Sequence, residues 1–521
     1  MRISDYFFSA AIASAFLTLF SNTAHAANFY VDIKNGSDLG DGTAENPWQS
    51  LQHVLDSGLI ASEEWESLPP ADGVSLVPKN VGAPVSAGDT IWLRDGNYGE
   101  LNVTGYYNTG MITIQAAQDE SVRFSRILVR AAANWTFRGL QVSPENGDVY
   151  EPATMIDIDS HDWQGPVHDI TVDWCTLQSV ADVSGWTLDD WNELPANGIN
   201  ADGTRITITN NRIKNVNFGI AVGASYSQIV GNTVENFAGD GMRGLGDYSI
   251  FAYNTVKNCY DVNDNHDDGF QSWSVGEGGV GTGEVTGIVL RGNTIINYED
   301  PNQPFRGPLQ GIGCFDGTFV DWVVENNVIF TDHWHGISFY GARNSRIVNN
   351  TVLDPNNDDP GPPWIMFHDH KDGTPVQDCV IANNLTTAVS GMDTPETMGN
   401  IIIKDASAYF VDMDNFDFHL LPQSSALDAG LAEWAPALDR DGIPRPQGNG
   451  VDVGAFEWHD DDIQPVTDTE LAPFDTSTSA TGDSSSVGGE LASNQEGCAC
   501  ETPGRNGAPA PALMKFLFLL L

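Results

Sequence analysis

Asn211-Arg212-Ile213, Asn232-Thr233-Val234, Asn254-Thr255-Val256, Asn293-Thr294-Ile295, Asn327-Val328-Ile329 and Asn350-Thr351-Val352 are copies of one short motif, Asn-x-[Val/Ile]. Asn384-Leu385-Thr386 is a degenerate seventh copy. The closest copies, 211 to 232 and 232 to 254, lie about twenty residues apart, the period of a solenoid coil. A second series keeps step: Gly198-Ile199, Gly219-Ile220, Gly241-Met242, Gly269-Phe270, Gly311-Ile312 and Gly336-Ile337. Between the motifs run short alternating segments such as Ile206 to Thr209, punctuated by Gly and Asn, which tolerate left-handed backbone and turn the chain. One such coil cannot bury its apolar face alone, whereas stacked coils can, with strand pairing to strand and Ile/Val piling up inside. The repeated Asn is therefore expected to be a turn ladder inside the stack, with a structural role.

Working outward, the N-terminal part carries Tyr30-Val31-Asp32, Asn35-Gly36-Ser37-Asp38, Gly40-Asp41-Gly42-Thr43, Asn46-Pro47-Trp48 and Ser50-Leu51-Gln52, then the run from Gly88-Asp89-Thr90-Ile91 to Tyr98. These resemble the opening cap and first coil of pectate-lyase-like β-helix proteins, a superfamily of secreted bacterial carbohydrate-active proteins. The resemblance implies an all-β fold, a right-handed single-stranded parallel β-helix with a capped N-terminus. It does not specify a reaction.

Residues 1–27 read as a secretory signal: basic Arg2, an apolar run from Phe7 to Phe20, and a small-x-small site at Ala24-His25-Ala26. The β-helix is expected over 28–415. Residues 416–458, with Asp417-Phe418-His419-Leu420 and Asp452-Val453-Gly454-Ala455-Phe456-Glu457, resemble the closing module that follows many bacterial β-helices, expected here to cover the last open coil edge. Residues 459–496 are rich in Asp, Ser, Thr and Gly and read as a disordered linker. Residues 497–521, with Gly497-Cys498-Ala499-Cys500 and an apolar end, resemble Cys-containing sorting tails of Gram-negative bacteria, without the basic cluster that usually closes them. The expected location is secreted or at the cell surface of a Gram-negative bacterium, with anchoring through the tail, as a monomer. Cys175, Cys259, Cys314 and Cys379 lie far apart, without metal-ligand spacing, and are expected to be buried small apolar residues.

Lys plus Arg number 23 against 71 Asp plus Glu, a formal net charge of -48. Such a field excludes nucleic acid as a partner and repels an acidic polymer unless a local cation reverses its sign. Carboxylates in such number can also hold Ca²⁺, a hard cation that takes oxygen ligands.

The glycine series aligns the side chains. With Ile199, Ile220, Met242, Phe270, Ile312 and Ile337 inward, alternation turns Asn200 and Asp202, Ala221, Arg243, Gln271 and Trp273, Phe315, and Ser338 and Tyr340 outward. Ile365 fits a further inward position, placing Met366 and His368 outward. The residues before the glycines include Asp240, Asp268, Gln310 and His335. Adjacent coils are about 4.8 Å apart, so acids, imidazoles, a guanidinium and aromatics fall on one stripe. Insertions at Gly276–Glu284, Glu299–Pro308 and Asp354–Pro363 flank it and are expected to wall a groove.

Within that stripe the candidate catalytic residues are His335, Arg243, Tyr340 and His266. Gln271, Trp273, His368, Lys371 and Arg306 are the candidate substrate-binding residues. Asp240 and Asp268, one coil apart, either share a Ca²⁺ or form a solvated ladder, and Arg243 is alternatively an ion-pair partner of Asp240. The His-x-His pairs His333/His335 and His368/His370 would suit a transition metal if a third ligand joined them. The stripe resembles those of pectate and alginate lyases in combining Asp, Arg, His and Tyr. That resemblance implies proton abstraction beside a neutralised carboxylate, with His335 or Arg243 as base and Tyr340 as acid. It also resembles alginate C5-epimerases, although Asn265-His266-Asp267-Asp268 is a distant echo of their motif. Asn200-Ala201-Asp202-Gly203 matches one piece of the polygalacturonase pattern, whose later pieces are missing. The expected function is a lyase cleaving a uronate-containing (alginate- or pectate-like) polysaccharide. The alternatives are a C5-epimerase or glycoside hydrolase on the same fold, and a non-catalytic adhesin or carbohydrate binder.

Overall fold

A computed structural model describes residues 26–356, 358–390, 396–460 and 463–466. The expected sorting tail, nearly all of the signal segment and most of the linker lie outside the described residues. Strands of three or four residues recur in a fixed cycle of three, so that each pairs in parallel with its equivalent one coil on. The result is an 11-stranded and a 12-stranded parallel sheet and a 15-stranded sheet whose path is also parallel, wrapped round one core: a right-handed parallel β-helix.

Register bears out the glycine alignment. In the 11-stranded sheet, Ile156, Ile199, Ile220, Met242, Phe270, Ile312, Ile337, Ile365 and Val389 pair in succession. All but the partly buried Val389 sit in the core at 0–2% exposure. The glycines are needed where coils close up: a Cβ on Gly219 would stand 2.6 Å from the Val234 side chain, and one on Gly241 would strike Val256.

The asparagines form the ladder. Each Oδ1 accepts the backbone N–H and the Nδ2 of the Asn one coil earlier: Asn232 from Asn211 at 3.0 and 2.9 Å, Asn254 from Asn232 at 2.9 and 3.0 Å, Asn293 from Asn254 at 3.0 and 3.0 Å. Each Nδ2 also donates to a strand carbonyl, as Asn254 does to Ile229 at 2.8 Å. The run passes through Asn327, Asn350 and Asn384 to Asn400, a further member. The residue before each rung is left-handed, for example Asn210 (φ 57), Asn326 (φ 56) and Asn349 (φ 53), which puts the following amide inside the corner. Buried amides are tolerated because every rung is paired.

At the start, the strand Asn28–Val31 pairs with Thr90–Leu93, and the short helix Leu51–Asp56 lays Leu51, Val54 and Leu55 on the end of the core. The C-terminal module behaves differently from expectation. Phe410, Phe418, Val453 and Phe456 pack on Ile296, Phe330, Leu353 and Leu385, the outer face of the last coils of the 12-stranded sheet. Asn326, Asn349 and Asn383 tie it down by donating to Leu438, Asp452 and Leu431 carbonyls. The module therefore lies along a flank, because those coils turn large apolar side chains outward there. Cys175, Cys259, Cys314 and Cys379 are buried free thiols.

Candidate active site

The outer face of the 11-stranded sheet forms the floor. Loops 297–309 and 354–363 join it to the 12-stranded sheet on one side, and the hairpin Val275–Gly276/Gly279–Val280 and loop 369–377 leave it on the other. The floor reads Asp157, Asn200, Ala221, Arg243, Gln271, Gly313, Ser338, Met366 and Ser390 in register.

Two carboxylates organise its centre. Asp240 (3% exposed) accepts from Arg243 Nε at 2.6 Å and from the Asp268 backbone N–H at 3.0 Å. The guanidinium lies over the Phe218 ring at 3.8 Å and 5.2 Å from the Trp273 ring centre, so it is held in a fixed plane. One coil on, Asp268 (0% exposed) faces His266 Nδ1 at 3.1 Å and accepts from Gln271 Nε2 at 3.1 Å. Its Oδ1 is buried with no hydrogen-bond partner. Burial, with the nearby Asp240 charge, pushes the Asp268 carboxyl well above the usual carboxylate range, while the His266 hydrogen bond opposes the shift. Burial also pushes up Asp267, whose Oδ2 accepts from the Cys259 thiol at 3.4 Å.

His335 is placed differently from a surface base. It is 8% exposed, its Nδ1 pairs with Ser338 Oγ at 2.9 Å, and its ring sits edge-on to Phe315 (4.8 Å) and Trp364 (5.4 Å). Burial, and then the neighbouring imidazoles, pulls it down to about 3, and His333 down to about 4 for the same reasons. Both are neutral at working pH. Their rings stack at 5.2 Å. Tyr340 stands 5.6 Å from Phe315 and 5.1 Å from His368.

The structure thus brings together Asp240, Arg243, His266, Asp268, Gln271, Trp273, His335 and Tyr340. His368 is exposed at the edge, and Lys371 pairs with Asp316 at 2.9 Å on the loop side. Arg306 makes its described contacts within its own loop, over Tyr298 at 4.6 Å and to the Pro301 carbonyl, so it belongs to a wall rather than the floor. Sequence reasoning assigned no role to Phe218, Ser338 or Trp364, which orient Arg243 and His335. Phe218 and Ser338 could have been found, since they occupy the aligned columns.

Asp240 and Asp268, the carboxylates from which a shared Ca²⁺ is expected, meet where Asp240 Oδ1 accepts the Asp268 backbone N–H. Asp240 Oδ2 accepts from Arg243 and its Oδ1 from a backbone amide, while Asp268 Oδ1 is buried without a hydrogen-bond partner. Ca²⁺ takes six to eight oxygens. Among the described residues no group of three or more His, Cys, Asp or Glu is arranged to hold a metal, which also leaves His333/His335 and His368/His370 without a third ligand.

Chemically, a guanidinium in a fixed plane receives a carboxylate. An imidazole held through Nδ1 by a buried acid is fixed in orientation for proton transfer. A guanidinium offers N–H donors and no acceptor, which suits Arg243 to holding a carboxylate.

A family model described as "Right handed beta helix region" matches residues 197–361. No curated protein matches the sequence. Similar solved structures include pectate lyase Pel9A (15% identity, 84% of this chain and 98% of that chain, TM-score 0.45). They also include the Azotobacter vinelandii mannuronan C-5 epimerase AlgE4 A-module (14%, 60% and 86%, 0.35). A further one is a mannuronic acid specific polysaccharide family 6 lyase from human gut microbiota (15%, 66% and 81%, 0.34).

Proposed function

We propose that this protein is a polysaccharide lyase that cleaves a uronate-containing polymer by β-elimination in the groove. The observation that carries the reading is the pairing of two anchored groups on adjacent coils: Arg243 fixed by Asp240, and His266 fixed by Asp268.

Arg243 takes the substrate carboxylate and offsets the charge that develops there as the neighbouring C5–H bond breaks. His266, oriented through Nδ1 by Asp268, accepts that proton. The C–H electron pair forms the C4=C5 double bond as the C4–O bond breaks. Tyr340 protonates the departing oxygen and regains its proton from solvent, to which His266 releases one. Gln271, Trp273, His368, Lys371 and Arg306 line the path of the chain. Elimination requires a carboxylate beside the broken bond, which selects a uronan over a neutral glycan. The net charge of -48 makes a local cation a condition for holding such a polymer.

The test is to incubate the protein with alginate, pectate and sulfated algal polymers, with and without EDTA, and to analyse the chain ends. Unsaturated uronate ends formed in the presence of EDTA support the reading. Reducing ends without unsaturation identify a hydrolase, solvent deuterium at C5 of intact chains an epimerase, and retention without product a carbohydrate binder.

A further inference from the structure

Regular alternation would turn Gly313 outward, Cys314 inward and Phe315 outward again. The pairing is interrupted here: Ser272 pairs with Cys314, but Trp273 pairs with Asp316. Phe315 is the extra residue of a β-bulge, the device by which a strand re-aims one side chain, often beside an active site. Although it leaves the core side, Phe315 is 2% exposed. Its ring centre lies 4.8 Å from His335, 5.6 Å from Tyr340 and 6.5 Å from His266, all within the range of aromatic contact.

The floor makes room for it. At Gly313 an added Cβ would meet the Phe315 ring and the Asp268 carboxylate, so these two groups fill the notch that the missing side chain leaves. Gly313 needs no left-handed backbone, since it is absent from the positive-φ glycines. Its want of a side chain is therefore a matter of space.

We propose that Phe315 is a positioning residue: the bulged ring under the groove floor sets the separation and tilt of His266 and Tyr340, the base and acid of the elimination. This rests on the reading given under Proposed function, and it adds a residue that touches no substrate. His266 reaches its place from a loop and is anchored on Asp268, and Tyr340 reaches its place from the end of a strand two coils further along the sheet. A common aromatic wedge is what couples two such independently held groups.

Two variants test it. Phe315→Ala removes the wedge, and Gly313→Ala keeps the ring but pushes both it and the Asp268 carboxylate out of the notch, so that Phe315→Ala is the decisive variant. Phe315→Tyr, which preserves the ring, is the conservative control. Circular dichroism and thermal melting first select variants that remain folded, and crystal structures of those variants are then compared with the wild type. In Gly313→Ala and Phe315→Ala the His266 and Tyr340 rings should leave their wild-type positions, while Phe315→Tyr should retain them. On a polyuronate that the wild type cleaves, kcat should fall roughly 100-fold for both alanine variants with KM little changed, and Phe315→Tyr should recover most of it. Unmoved rings in Phe315→Ala overturn the inference, whether or not the protein is a lyase. A wild type without turnover, together with displaced rings in the variants, overturns the lyase reading and leaves the wedge standing. Equal losses in KM and kcat, unrescued by Phe315→Tyr, reduce Phe315 to ordinary packing and also overturn it.

Discussion

His266 Nδ1 lies 3.1 Å from Asp268 Oδ2, and that carboxylate is wholly buried. An acid shut away from solvent cannot meet a polymer, but it can hold one tautomer and one orientation of an imidazole that does. Asp268→Asn preserves the shape and can offer Nδ1 the wrong partner. The expected result is a fall in kcat of roughly 100-fold or more with KM little changed. Steady-state kinetics on the cleaved polymer check it, and wild-type kcat in the variant removes Asp268 from the account.

Arg243 differs from a free surface cation in having three neighbours: Asp240, Phe218 and Trp273. Lysine would keep the charge and lose the planar fork and the ring stacking. Arg243→Lys should therefore lower kcat/KM by roughly 100-fold, with most of Arg243→Ala's loss already present. Competition by a neutral polysaccharide should be unaffected in both. Near-wild-type kcat/KM in Arg243→Lys would mean that bare charge suffices.

Asn254 tests the scaffold. It is 0% exposed, donates to Ile229 O and Asn293 Oδ1 and accepts twice from Asn232. Alanine there leaves a backbone amide, a side-chain amide and a carbonyl in the dry interior with fewer partners. Asn254→Ala should lose about 3 kcal/mol of unfolding free energy, read as a shift of the urea midpoint. A shift within measurement error would show that the ladder contributes nothing net.

The C-terminal module carries a pH-sensitive contact. His419 lies 2.7 Å from Asp441 through Nε2 and 2.6 Å from Asp417 through Nδ1, and these hydrogen bonds, opposed by burial, raise it to about 9. Its unfolded value is about 6.5. The folded form thus holds the proton more tightly, so the stabilisation is complete below pH 6.5 and is lost as pH rises through about 9. With the side chain half exposed, the effect is screened by salt. Thermal melting should show Tm declining between pH 6.5 and 9, and His419→Gln should flatten that decline. An identical slope in both proteins would assign the decline to other groups.

The coil period, the inward column and the asparagine ladder were legible because they obey strict alternation and repeat: from Ile199 to Ile365 the reading and the register agree. Asn400-Ile401-Ile402 repeats the motif but escaped because its step from Asn384, 16 residues, is shorter than those between the other copies. The stripe was legible as a stripe, but its depth was not. Alternation says which way a side chain leaves the strand and nothing about what then covers it, so Asp240, Asp268 and His335 were expected at a surface where they are buried. The bulge at Phe315 was invisible for a related reason: an extra residue cancels the period on which the reading relies. Arg306 and the flank position of the C-terminal module depend on long-range packing of loops, which repeat statistics do not carry.

The most direct measurement of the central claim is the ultraviolet absorbance of newly formed unsaturated uronate ends, followed over time with wild type and with His266→Ala. The account predicts a steady rise for the wild type on at least one polyuronate in EDTA, and a rate reduced roughly 1,000-fold in the variant, which stays folded and still retains the polymer. A variant that generates unsaturated ends at the wild-type rate would contradict it.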